Sequence, residues 1–324
     1  MLNPISTVLA AATALMLSGP APAAAQGSYP DHTIRLIVPN PPGALPDTIA
    51  RIIGRQMQER FGQSVVVENR AGASAGLGTA ALTTAPADGH TFLITDGAIL
   101  TINPLLIAKL PYDRNEVLPV ALLARAPLFL AVNKGLPVAN MKEFIAYAKS
   151  NPGKLNYGSI GTGSFHHLTM EAMNSALALK MNHIPYKGSA ETTGALLGGH
   201  IDVLFASYAA VRSAVETKKV TLLATNGARR SPDLPDLPTM SEFVPGFDLA
   251  VIQGLYARTG TPQAIVQKVA VELAAIMKNP EVLRQYQVAG IEPASGGPDV
   301  FAAALRAEGE RIAKVVQTAG MKAQ

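Results

Sequence analysis

Ser164, His166 and His167 stand side by side after the turn Gly158-Ser159-Ile160-Gly161-Thr162-Gly163, so one short stretch offers a hydroxyl, two imidazoles and a glycine-rich loop. A serine hydrolase needs Ser in a Gly-x-Ser-x-Gly elbow and a His that reaches it from another segment. Ser164 has no such elbow, and His167 lies on the same helical turn. A zinc site needs histidines on one helix face, whereas adjacent histidines point apart and no Asp or Glu completes an i, i+4 pair. Gly158 and Gly163 carry the spacing of a phosphate-binding loop, but Ser164 replaces the lysine that the loop requires. The dinucleotide fingerprint fails as well, because His166 occupies its third glycine position. The stretch therefore reads as a binding loop with no catalytic residue, metal or cofactor.

Similar loops recur at the ends of predicted strands. Residues 33–38 form an apolar run that leads into Pro41-Pro42-Gly43-Ala44, and residues 65–67 lead into Gly72-Ala73-Ser74-Ala75-Gly76. Ligands of open α/β sheets sit at such strand ends, opposite helix N-termini. Ile49, Ile52, Ile53, Met57 and Phe61 recur at helical spacing before Gly62, which suits a helix C-cap, and Asp47 is expected at the N-cap. Further strands are expected at 91–95, 155–159, 182–185, 201–205 and 220–225. Asn140 with Glu143 predicts a capped helix, and Thr261 is expected to cap another that begins at Pro262. The β-α rhythm predicts an α/β fold with mostly parallel sheets and flanking helices.

Composition narrows the function classes. There is no cysteine, which excludes disulfides, thiolate nucleophiles and cysteine-ligated metals. The net charge of +4 is thinly spread, and aromatics are only 5% with no tryptophan, so neither a nucleic-acid surface nor an indole-stacked sugar site is expected. Residues 5–18 are apolar but too short to span a bilayer, and Ala23-Ala24-Ala25 follows as a cleavage pattern. Residues 1–25 are thus expected to be a signal peptide, and the mature chain to be exported.

Seven segments, in order, carry a family resemblance: YPDHTIRLIVPNPPG, VVVENRAGASAGLGT, APADGHTFLI, NPGKLNYGSIGTGSFHHL, HIPYKGSAETTGALLGGHIDVLF, RSPDLPDLPTMSEF and GLYARTGTP. The chain resembles the tripartite tricarboxylate transporter receptors, the Bug family of periplasmic substrate-binding proteins. The resemblance implies a two-lobed, type II-like periplasmic binding protein fold. Lobe 1 would comprise 26–126 plus 248–324, and lobe 2 would comprise 127–247. It also implies a monomer in the periplasm that carries a small organic carboxylate to membrane permease subunits, with no cofactor and no nucleic acid. A sensor-protein partner is the main alternative, and an exported hydrolase a weaker one.

By the same resemblance, Pro41, Pro42, Gly43 and Ala44 hold the ligand from one side. Ser159, Gly161, Thr162, Gly163, Ser164 and His167 hold it from the other. Ser189 and Ala190 at a helix start, and Ala206 and Ser207 after a strand, would set specificity. An anion can bind this way without a cationic side chain, through amides at a helix start that carries about half a positive charge. Micromolar affinity needs about 8 kcal/mol, which four or five charge-assisted hydrogen bonds of roughly 1.5–3 kcal/mol can supply. The family pattern has a second glycine where this chain has Ala44, and Pro46 removes one amide. Many relatives place Asp where this chain has Ala206, which favours a dicarboxylate or aromatic carboxylate over an amino acid.

Overall fold

A computed structural model describes residues 29–231 and 234–323; the signal-peptide expectation lies outside them. In chain order the first half contains β1 (Ile34–Val38), α1 (Leu45–Phe61), β2 (Val65–Asn69), α2 (Gly76–Thr83), β3 (Thr91–Asp96), α3 (Ala98–Thr101), α4 (Asn103–Leu106), β4 (Val117–Ala126), β5 (Phe129–Asn133), α5 (Met141–Ser150) and β6 (Asn156–Ser159). The second half continues with α6 (Phe165–Leu177), β7 (Asn182–Pro185), α7 (Ser189–Leu197), β8 (Val203–Ala206), α8 (Tyr208–Glu216), β9 (Val220–Thr225), β10 (Val251–Arg258), α9 (Gln263–Ile276), α10 (Pro280–Val288), β11 (Glu292–Gly296) and α11 (Pro298–Thr318). Among the described residues, no helix is long and apolar enough to cross a membrane.

The strands form two sheets, one of order β11-β4-β10-β3-β1-β2 and one of order β7-β6-β8-β5-β9. Both are mixed, which corrects the expectation of mostly parallel sheets. β1 pairs in parallel with β2 and β3, and β6 with β7 and β8, as repeated β-α-β units dictate. The strands that pass between the sheets run the other way: β4 and β10 are antiparallel neighbours in the first sheet, and β5 is antiparallel to β8 and β9 in the second. An apolar run shows that a strand is buried but not which way it points.

The central strands of each sheet are buried on both faces. Ile34, Leu36, Phe92 and Ile94 face α1 and α9, while Ile37 and Leu93 share the opposite side with Tyr256 of β10 and pack there with Phe301 of α11. In the second sheet, Leu130, Tyr157 and Phe205 pack with α5 and α6, while Ala131, Leu204 and Ala206 pack with α7 and α8. Ile102, Leu106 and Ile312, from elements flanking the first sheet, join the core of the second.

The two passages between sheets are stitched by Asn226, which is fully buried. Its backbone N–H donates to Leu128 O at 2.9 Å, and its Oδ1 accepts from Leu128 N at 2.7 Å. On its other side, Nδ2 donates to Leu249 O at 2.6 Å, and its carbonyl accepts from Leu249 N at 2.9 Å. Arg125 and Asp248 add an ion pair at 2.7 Å beside it.

Helix ends mostly follow local chemistry. Gly62 caps α1 in the left-handed conformation, and Asn140 Oδ1 accepts from Glu143 N at the start of α5. Two expectations are corrected. Pro262 is the residue before α9, and the Thr261 hydroxyl donates to Arg258 O at 2.8 Å, closing the preceding turn. Ala44, not Asp47, precedes α1, because Pro46 fits the first turn and lets the helix begin at Leu45.

Candidate functional site

The parallel strands of each sheet end on the same side, and the glycine-rich loops lie there. Pro41 to Ala44 follow β1, and Asp96 ends the neighbouring β3. In the other sheet, the loop of Gly161 to Ser164 follows β6, Ser189 opens α7 after β7, and Ser207 lies between β8 and α8. The two sides meet through Leu45, next to Ala44, which packs against the core of both sheets. Gly163 lies against Leu106; a Cβ on Gly163 would come within 3.1 Å of Leu106 Cδ1.

The first loop is held by a buried carboxylate. Asp47 Oδ2 accepts from Gly43 N and from Arg51 Nε, each at 2.9 Å. Its Oδ1 accepts from Asn69 Nδ2 at 2.9 Å, and the same Nδ2 donates to Asn40 O at 3.0 Å. Burial pushes the Asp47 carboxyl up, but hydrogen bonds from Arg51, Gly43 and Asn69 outweigh it and hold the group below its ordinary value. Asp47 is thus paired and shapes the loop, which removes the repulsion that a free carboxylate would exert on an anion. Asp47→Ala is expected to cost on the order of 1–2 kcal/mol, since Gly43 N, Arg51 Nε and Asn69 Nδ2 lose a shared acceptor while the exposed Arg51 turns to water and Asn69 keeps Asn40 O. The contribution is present above about pH 4 and lost as acid protonates the group. Urea denaturation at pH 7 checks this; an unchanged midpoint would remove Asp47 from the loop's support.

The second loop is tied down by its own hydroxyls. Ser159 and Ser164 both donate to Gly161 O, at 3.0 and 2.7 Å. Ser164 Oγ also accepts from His167 N at 3.3 Å and so caps α6. Gly161 at φ +122° and Gly163 at φ +80° adopt backbone that other residues disfavour. Gly163 N donates to His167 Nδ1 at 3.1 Å, which places the imidazole proton on Nε2. His167 stacks on His183 with ring centroids 3.8 Å apart, and His183 Nε2 lies 2.7 Å from Ser159 Oγ. Burial pushes the His167 ring down to about 4; burial, then the neighbouring His167, does the same to His183. The Ser164 hydroxyl donates to Gly161 O and, among the described residues, meets no imidazole, whereas Ser159, which does meet one, is buried and has its Oγ turned to Gly161 O.

The expected ligand residues therefore divide. Pro41, Pro42, Gly43 and Thr162 are exposed, and Ala44, Gly161, Gly163 and Ser164 are half-buried. Ser189 and Ala190 are exposed and Ser207 half-buried. Ser159 and His167 are buried beneath their loop as supports. Ala206 is the last residue of β8, not beyond it, and is buried against α7 and α8. The amides of Leu45, Asp47, Phe165 and His166, in the first turns of α1 and α6, have no hydrogen-bond partner among the described residues. The sequence reading passed over Asn69, whose role depends on a contact with a distant loop. It also passed over Asp96, at the same end of the first sheet. Burial raises the Asp96 carboxyl to about 6, offset in part by the hydrogen bond from Ala98 N.

A profile of the tripartite tricarboxylate transporter family receptor matches residues 49–321. Protein BugT of Bordetella pertussis is 32% identical over 298 residues, covering 91% of this chain and 91% of BugT. The structure of R. palustris Rpa4515 with adipate is 33% identical with a TM-score of 0.82, covering 91% of this chain and 100% of that one. MatC from Rhodopseudomonas palustris with bound malate is 29% identical with a TM-score of 0.74, covering 89% and 100%. The two-lobed periplasmic binding protein fold implied by the sequence is the fold observed. A profile match over most of the chain and relatives aligned over nearly their full length lead to one assignment: the chain belongs to the tripartite tricarboxylate transporter receptor family.

Proposed function

We propose that this chain is a periplasmic solute receptor that binds a small dicarboxylate, unchanged chemically, and hands it to the membrane permease subunits of a tripartite tricarboxylate transporter. The ligand lies between a lobe of residues 26–126 plus 248–324 and a lobe of residues 127–247. The observation that carries this reading is the pair of helix starts, α1 and α6, each with unpartnered amides at a strand end. Each offers partial positive charge to one carboxylate. Two such ends suit a molecule with an acid group at each terminus, and the relatives with adipate and malate hold ligands of that class. The second-lobe loop is internally bonded before any ligand arrives, so binding does not have to order it.

Calorimetry with residues 26–324 tests the proposal against adipate, malate, an aromatic dicarboxylate and glutamate. A dicarboxylate is expected to bind one to one and to raise the melting temperature by mass action. Ser164→Ala is expected to weaken it about fivefold or more, because Gly161 O and His167 N lose their shared partner. Absence of heat and of any melting shift with all four compounds would overturn the reading.

A further inference from the structure

We propose that Asp31, His32 and His90 form a binding site for a divalent transition-metal ion of the zinc or copper(II) type. His32 lies just before β1 and His90 just before β3, at the opposite end of the first sheet from the carboxylate loops. One donor atom from each of the three residues lies within 4.8 Å of the others. Asp31 Oδ1 is 2.7 Å from His32 Nδ1 and 3.2 Å from His90 Nε2, so one carboxylate oxygen already sits between two imidazoles.

The second observation is His90 itself. It is only 7% exposed, and neither ring nitrogen has a hydrogen-bond partner among the described residues. The 3.2 Å approach to Asp31 is therefore poorly aligned as a hydrogen bond. A buried imidazole with both nitrogens unsatisfied is unfavourable, and an ion bound at Nε2 removes half of that deficit. Asp88 Oδ1 accepts from His90 N at 2.9 Å and lies 3.6 Å from His90 Nδ1, so a small turn of either side chain would give the remaining N–H the carboxylate partner that orients ligating histidines. The rings of His32 and His90 are stacked at 3.5 Å and 14°, so their nitrogen lone pairs lie in nearly parallel planes. Convergence on one ion needs the His32 ring to turn out of the stack, and His32 and Asp31 are both exposed, so their side chains have room to turn. Two imidazoles, one carboxylate and a water make a set suited to zinc or copper(II), and a poor one for calcium or magnesium. Tyr29 already holds this corner, donating from its hydroxyl to Gly89 O at 2.6 Å. A bound ion would fasten it further.

The test is calorimetry of untagged protein with zinc sulfate, after stripping with a chelator, on wild type and on the double variant Asp31→Ala/His32→Ala. One-to-one binding, weakened at least tenfold in the double variant, is expected; cobalt(II) should give a visible absorption band only with wild type. Equal zinc affinity in both proteins, or no binding to wild type at 1 mM zinc, would overturn the proposal. Both substituted residues are on the surface, so loss of binding cannot be charged to unfolding, and adipate titration of the same variant provides an independent check of its integrity.

Discussion

Glu308→Gln is expected to flatten a loss of stability, on the order of 3 kcal/mol, that the wild-type protein undergoes between pH 5 and pH 8. Glu308 is 2% exposed on α11. Its Oε2 accepts from Thr101 Oγ1 at 2.9 Å, and its Oε1 has no well-formed hydrogen bond among the described residues, although the Ile252 amide lies close enough to act on the carboxylate. Burial raises its carboxyl to about 8; the Asp96 charge adds to the rise, while the Thr101 hydrogen bond and Arg311 oppose it. The folded state therefore holds this proton more tightly than the unfolded chain does. Its stabilising effect is full below about pH 4.5 and declines as the pH climbs, until Glu308 ionises in both states above about 8. Glutamine cannot ionise, so the variant should gain on wild type steadily with rising pH. Urea midpoints at pH 5, 6.5 and 8 measure the difference, and parallel curves for the two proteins would show that Glu308 does not titrate within this range.

Gly254→Ala is expected to destabilise the protein by about 3 kcal/mol, at the upper end of overpacking effects. A Cβ at this position would lie 2.1 Å from Phe301 Cζ and 2.7 Å from Ala121 O. The ring can yield only by leaving a core where it is fully buried and packs tilted by 51° against Tyr256 with centroids 5.0 Å apart. The carbonyl cannot yield without opening the β10–β4 ladder, which already shifts register between Gln253 and Gly254. Phe301→Leu should recover part of the loss in the Gly254→Ala background, although alone it is destabilising, because the two substitutions share one space. A Gly254→Ala protein within 1 kcal/mol of wild type in urea denaturation would show that β10 has more room than the structure gives it.

That glycine also shows what a sequence discloses. Gly254 opens the GLYARTGTP segment that helps to reveal the family, but its physical reason is Phe301, which lies far along the chain. Elements governed by neighbours were readable: the apolar runs of β1 and β3, the helical spacing of α1, and the Asn140 cap. Strand direction in β4, β5 and β10 was not, because burial on both faces leaves no alternation and nothing local records polarity. At the site, the glycine-rich loops and their position after strands could be read from spacing. The inward turn of the Ser159 and Ser164 hydroxyls could not, because it depends on where Gly161 O finishes. Asp47 was misread as an N-cap for a related reason: its partners Gly43, Arg51 and Asn69 include a residue from another strand, and only the folded chain brings them together.

Asn226 determines how the sheets can move. It binds Leu128 in one passage and Leu249 in the other, with two hydrogen bonds to each. Sliding either passage by one residue would break both of its bonds together, whereas a small twist about residue 226 only bends them. The joint thus behaves as a pin: it suppresses translation and leaves rotation as the soft coordinate. A twist there is opposed by a second tie, because Ile102, Leu106 and Ile312 would have to slide within the core of the second sheet.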